Sequence, residues 1–136
     1  MIVTNKNILV MQSFQEAVAK FQLSAEDYAP VAKLAKVIKK LTPYVESFQE
    51  SVEDLRLDHC YKEGNKIVRE EGQLQWSAEG EKAFRKAYKA LLTEEVDVDV
   101  QPMNYAEFFD ILPKQAQAGN KWEDVEEALS PFFVNK

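Results

Sequence analysis

Apolar positions recur along the chain with two different periods, and the change from one to the other divides it into elements. Met11, Phe14, Val18 and Phe21 follow one another at intervals of three, four and three. That spacing puts them on one face of a helix, predicted over about 7–21. Gln22-Leu23-Ser24 breaks the pattern. Ser24 followed by Glu26 and Asp27 reads as an N-cap with acids in the first turn, and Pro30 marks where the regular helix begins. Val31, Leu34, Ile38, Leu41, Val45, Phe48, Val52, Leu55 and His59 then alternate three and four, and all but the last are apolar. This predicts one long helix over 25–62 with a coiled-coil-like seam, about 54 Å long at 1.5 Å per residue. Val37 and Tyr44 flank the seam and widen it. Pro43 falls on the side opposite the seam. It removes one helical hydrogen bond and crowds the Lys39 carbonyl, at a cost of about 3 kcal/mol. Because the seam keeps register on both sides of Pro43, the expectation is a kinked continuous helix rather than two helices and a loop.

Beyond Tyr61 the period shortens. Glu63-Gly64-Asn65 reads as a helix stop, and Lys66–Arg69 with Gln73–Trp76 as a small β-hairpin over 66–76. Ser77 is placed to cap a helix over 77–92, whose larger stripe is Phe84, Tyr88 and Leu91 and whose Ala83, Ala87 and Ala90 permit close approach. Folded back on the later part of the long helix, it would form an antiparallel helical hairpin. The segment 94–101 alternates strictly, with Val96, Val98 and Val100 on one side of a strand. Short aromatic helices fill 104–133: Asn104 as a cap for one that ends at Pro113, then Trp122 to Leu129, then Pro131-Phe-Phe. The predicted fold class is mainly α (α+β), and 136 residues suit a single domain.

Composition narrows the chemistry. Hydrophobic residues at 46% and charged ones at 29% belong to a globular chain. The one cysteine, Cys60, precludes an internal disulfide. No apolar run suits a signal peptide or approaches the roughly 18 residues of a membrane span. The expected location is therefore a host cytoplasm, with a virion interior as the other setting. A net charge of −6 disfavours nucleic acid as a partner. The charge is unevenly spread: six lysines against three acids in residues 1–44, a balance of +3, and −9 over the remainder. Such asymmetry can guide association.

No catalytic constellation, cofactor site or metal site is expected. Asp54, Asp58, His59 and Cys60 are the nearest thing to a ligand cluster, but neighbouring His59 and Cys60 point about 100° apart on a helix, and metal-binding spacings are absent. Carboxylate pairs are too numerous for any one to be informative, and four scattered glycines make no phosphate loop.

Three groups remain as binding candidates. Lys33, Lys36 and Lys40, with Lys39 beside them, form a basic stripe that could contact an anion near Tyr28 or Tyr44, or the chain's own acidic half. Val45, Phe48 and Val52 lie at the middle of the seam. Tyr105, Phe108, Phe109, Trp122, Phe132 and Phe133 are a heavy aromatic load for short helices, and aromatics are common interface anchors.

The order of elements resembles that of small proteins of unknown function from tailed phages and prophages of Gram-positive bacteria. The resemblance covers about residues 28–133. It rests on Leu41-Thr-Pro-Tyr-Val-Glu-Ser-Phe, the Tyr61 exit, the Gly-containing hairpin, the Phe84 helix ending Leu91-Leu92, the Glu95-Val-Asp-Val-Asp strand and Leu129-Ser-Pro-Phe. Members typically have a more charged, glycine-rich hairpin loop than the short one here. The resemblance implies phage origin and carries no activity with it. The expected function is non-enzymatic protein–protein interaction or assembly, with self-association through the long helix into a homo-oligomer and a host or virion protein as a further partner. The competing expectation is a ligand-binding phage protein that sequesters a nucleotide signal of host defence or inhibits a host defence protein. No contact with nucleic acid or membrane is expected.

Overall fold

The computed structural model describes residues 1–19, 28–108 and 122–134, with side chains described from 125 onward in the last of these. It is mainly α with short strands, in the order β1 (Ile2–Thr4), α1 (Asn5–Val18), α2 (Tyr28–His59), β2 (Lys62–Glu63), β3 (Lys66–Ile67), β4 (Arg69–Glu70), β5 (Gln73–Leu74), α3 (Ala78–Thr93), β6 (Glu95–Asp97), β7 (Met103–Asn104), a 3-10 turn (Tyr105–Phe108), α4 (Trp122–Leu129), a second 3-10 turn (Ser130–Phe132) and β8 (Phe133–Val134).

Helix α1 begins two residues before the predicted start because Thr4 caps it. The Asn7 amide donates to Thr4 Oγ1 at 3.1 Å, and the Thr4 amide donates to Asn7 Oδ1 at 2.9 Å. This reciprocal box uses Asn where Glu or Gln is the usual partner. Ahead of it, β1 pairs antiparallel with β6, Val3 opposite Val96. The acidic strand thus finds its partner in the first residues of the chain, which the sequence pattern had left unassigned. Along 95–100 the alternation is as expected: Val98 and Val100 are buried, Val96 half-buried, and Glu95, Asp97 and Asp99 exposed.

Helix α2 runs unbroken through Pro43, 32 residues or about 48 Å. One residue earlier, the Thr42 hydroxyl donates to the Ile38 carbonyl at 3.1 Å. The proline sits on the exposed side, where water can satisfy the freed carbonyl.

Between α2 and α3 the structure corrects the expectation of one hairpin over 66–76. There are two, each of two-residue strands: β2 with β3, and β4 with β5. Their two-residue loops are Gly64-Asn65 and Glu71-Gly72. Gly64, Glu71 and Gly72 all have positive φ, the backbone that tight hairpin loops require. Glu63-Gly64-Asn65 is therefore the first hairpin's turn as well as the end of the helix, and it folds Lys66-Ile67 back on Lys62-Glu63. Tyr61 joins the two hairpins: its amide donates to Gln75 O at 2.7 Å, and its carbonyl accepts from the Val68 amide at 3.4 Å.

Ser77 caps α3, accepting from the Gly80 amide at 3.0 Å. The helix runs antiparallel to the second half of α2, with Gly80 against His59 and Tyr88 against Phe48. Gly80 has no room for a side chain, since a Cβ there would collide with the His59 carbonyl oxygen. Near the C-terminus α4 packs on α1, and β8 pairs in parallel with β7, Met103 opposite Phe133. Asn104 Oδ1 accepts from the Ala106 amide at 3.0 Å and so caps the first 3-10 turn, as its place in the sequence suggests.

The main core gathers Val3, Ile8, Met11, Phe14 and Val18 with Leu34, Leu41 and Val45 of α2, the valines after β6, and Met103, Phe108, Leu129 and Phe132. Asn5 is the one buried polar residue among those described. Its amide donates to Glu94 O at 3.1 Å and its Nδ2 to Leu91 O at 2.9 Å, which ties the start of α1 to the end of α3.

Candidate interaction surface

The seam of α2 is covered within a single chain. α1 covers its first half, where Leu34, Leu41 and Val45 are buried, and α3 covers the second, where Phe48 and Val52 are buried. Val45, Phe48 and Val52, the seam residues expected at an interface, are therefore buried within the chain.

The described C-terminal aromatics lie in the core or pack against it. Phe108 and Phe132 are fully buried, while Tyr105 and Phe133 are half-buried. The Phe133 ring stands edge-on to Phe108 at 5.2 Å and to Tyr105 at 6.1 Å. The candidates Phe109 and the Trp122 side chain lie outside the described residues.

The basic stripe is divided. Lys33 Nζ donates to both carboxylate oxygens of Glu107, at 2.8 and 2.9 Å, so it meets the chain's own acidic half. Lys36, Lys39 and Lys40 are exposed. Tyr44 donates to Asp97 O at 3.3 Å, and Tyr28 is 67% exposed. With Lys33 and Tyr44 engaged internally, the stripe is not assembled as an anion pocket. In the Asp54, Asp58, His59 and Cys60 group, the aspartates are exposed and the buried Cys60 thiol donates to Leu57 O at 3.4 Å. No three His, Cys, Asp or Glu side chains among the described residues gather closely enough to hold a metal ion. No helix among them is long and apolar enough to cross a membrane.

The surface that stands out is the arm made by the second half of α2, α3 and the two hairpins. No residue of α3 is buried, although Phe84, Ala87, Tyr88, Leu91 and Leu92 all lie half-buried on its apolar side. Four rings run along this arm: Trp76 to Phe84 at 5.2 Å, Phe84 to Tyr88 at 6.0 Å, and Tyr88 to Phe48 at 6.0 Å. At the tip Tyr61, Ile67 and Trp76 are exposed. The arm has a groove on each side of the α2–α3 contact, of about 560 and 540 Å³. One has Phe48, Val52, Phe84 and Tyr88 for its floor and the ion pair Glu53–Arg56 at its edge. The other has Leu55, Ala87, Ala90 and Leu91 for its floor, with Asp54 and Glu94 on its rim and no basic residue lining it among the described residues.

The exposed aromatics of the arm were not among the binding candidates singled out from the sequence. The signal for the ladder was present in the i, i+4 pair Phe84 and Tyr88, with Trp76 two turns upstream. What the pattern does not carry is how many layers cover a stripe. Comparison with protein-family models, with curated proteins and with solved structures returned no match.

Proposed function

We propose that the protein is a non-enzymatic, phage-type interaction or assembly protein that associates with copies of itself through the outer surface of its long helix and the arm built on it. One observation carries this reading: α3 is amphipathic over sixteen residues, yet none of them is buried. Its apolar side chains rest mainly on α2, with α1 meeting its end and Trp76 its start, and Phe84, Ala87, Tyr88, Leu91 and Leu92 each remain half-buried, in contact with water. A helix stripe of this width is normally covered on both flanks, and covering it further is worth about 25 cal/mol per Å² of apolar area. Association supplies that cover, and the exposed aromatics at the arm's tip extend the same surface. A host or virion protein is the further partner of such a surface, and the host cytoplasm its setting.

Native mass spectrometry of the purified protein, from nanomolar to tens of micromolar, tests the reading. The expected result is a homo-oligomer whose population grows with concentration and carries no adduct. A monomer throughout that range would sink self-association. A retained small-molecule mass would favour the sequestration of a ligand instead.

A further inference from the structure

Residues 33, 36, 40, 43, 47, 51, 54 and 58 of α2 are spaced three or four apart and so form one stripe, about a third of a turn from the buried seam. All are exposed except Ser51, which is half-buried. The stripe changes sign along its length. Lys33, Lys36 and Lys40 occupy its first half, Pro43, Ser47 and Ser51 its middle, and Asp54 and Asp58 its second half. Positions 40 and 54 lie equally far from Ser47 on either side, and so do 36 and 58. Three ion pairs nearby are formed within the chain: Lys33 with Glu107, Glu53 with Arg56, and Glu81 with Arg85. Lys36, Lys40, Asp54 and Asp58 have no ion-pair partner among the described residues.

We infer that α2 pairs antiparallel with α2 of a second copy about a two-fold axis at Ser47, with Lys40 and Lys36 of each copy meeting Asp54 and Asp58 of the other. The inference rests on the self-association proposed above and specifies its surface. A two-fold contact uses the same patch on both copies, so the patch must complement itself. This stripe does so in one direction only. Antiparallel pairing opposes lysines to aspartates at four places, whereas parallel pairing in register opposes like charges. The small side chains of Ser47 and Ser51 keep the centre of the contact low, which lets the two helices approach. The acid-rimmed groove beside the second half of the stripe then receives the lysines of the other copy. Their methylene stems lie over Leu55, Ala87, Ala90 and Leu91, and their ammonium groups reach Asp54 and Glu94 on the rim.

The test uses two charge-reversed proteins, one with Lys36→Asp and Lys40→Asp, the other with Asp54→Lys and Asp58→Lys. All four positions are exposed, so circular dichroism should show both variants folded. In each alone the opposed charges become alike, and the dimer dissociation constant should rise by about a hundredfold or more. Mixed one to one they should form a heterodimer, recognised by its mass in native mass spectrometry. As a second measurement, Ser47→Cys should form a disulfide-linked dimer under mild oxidation, because the native Cys60 is buried and the new thiols face each other at the axis. Gln49→Cys, on another side of the helix, should not. If the wild-type protein self-associates but both charge-reversed variants do so equally well, this pairing is overturned while self-association stands, and the aromatic face of the arm becomes its seat. A wild-type protein that is monomeric throughout overturns both.

Discussion

The two halves of α2 carry the same apolar seam into different surroundings. In the first half, α1, the residues after β6, the 3-10 turns and α4 surround the seam, and Leu34 and Leu41 have essentially no exposed surface. In the second half, among the described residues, α3 is the helix that lies across it. Phe48 and Val52 are buried there, but every apolar residue of α3 itself keeps contact with water. The period of a stripe specifies which side of a helix turns inward. How deeply that side is buried depends on how many other elements the chain brings to it. The first half is a core with several layers, and the second is a two-helix arm.

The sharpest way to break this comparison is to delete one ring from each region. Phe14→Ala removes a fully buried side chain from the layered core and should cost about 3–5 kcal/mol in urea unfolding, through lost transfer energy and the cavity left behind. Phe84→Ala removes a half-buried ring from the arm, where water fills the space, and should cost about 1–2 kcal/mol. Equal losses would mean the arm is packed as tightly as the core, and the case for an incomplete surface would fail.

The contact between the two helices of the arm is set at its far end by Gly80. Glycine inside a helix is normally about 1 kcal/mol worse than alanine, so Gly80→Ala should stabilise α3 if propensity decided the outcome. Instead, the new methyl meets the His59 carbonyl oxygen, a backbone atom that cannot turn aside. The expected net effect is a loss of about 1–3 kcal/mol, read by thermal or urea unfolding, with faster hydrogen exchange at the start of α3. A gain in stability would show that the two helices can separate there at no cost.

Much of this architecture was legible in the pattern of apolar residues. The three-four alternation from Val31 to His59 specified α2 through Pro43, because the proline faces away from the seam and costs only local backbone bonding. Ser77 and the Phe84 stripe specified α3, and Val96, Val98 and Val100 the inward side of the strand. The pairing of β6 with β1 was not legible. It joins residues more than ninety positions apart, and Ile2-Val3-Thr4 is too short to show a period. The double hairpin was missed because Gly64-Asn65 signals a turn without saying whether the chain continues away or doubles back. The seam and the C-terminal aromatics were read as interface, yet Val45, Phe48 and Val52 of the seam and Phe108 and Phe132 among the aromatics are buried within the chain. A large apolar side chain has the same sequence signature in either role, and only the cover supplied by distant segments separates them.

Asn5 is the joint between the two regions, and changing it sharpens the comparison. Its side chain holds the last turn of α3 to α1 from a buried position. Asn5→Ala leaves the Leu91 carbonyl without that partner and should cost about 1–3 kcal/mol. Hydrogen exchange should quicken in the last turn of α3 while the amides of α1 after its first turn stay protected. If protection falls uniformly across both regions, core and arm open as one unit and their independence is wrong.

The smallest effect is expected at Lys33 and Glu107, which tie the first half of α2 to the turn after β7. The geometry is good, with Nζ reaching both carboxylate oxygens, but the lysine side chain is 57% exposed and the glutamate 34%. Water and salt screen a pair in that position, and holding two long side chains still costs entropy. A double-mutant cycle with Lys33→Ala and Glu107→Ala should therefore give a coupling below about 1 kcal/mol, reduced further at high ionic strength. The layered core beneath does not need this tie, because Leu34 and Phe108 already pack into it from the same two elements. A coupling of about 2 kcal/mol or more would mean that the core is closed from outside by charge, and that its first half is less complete than its burial indicates.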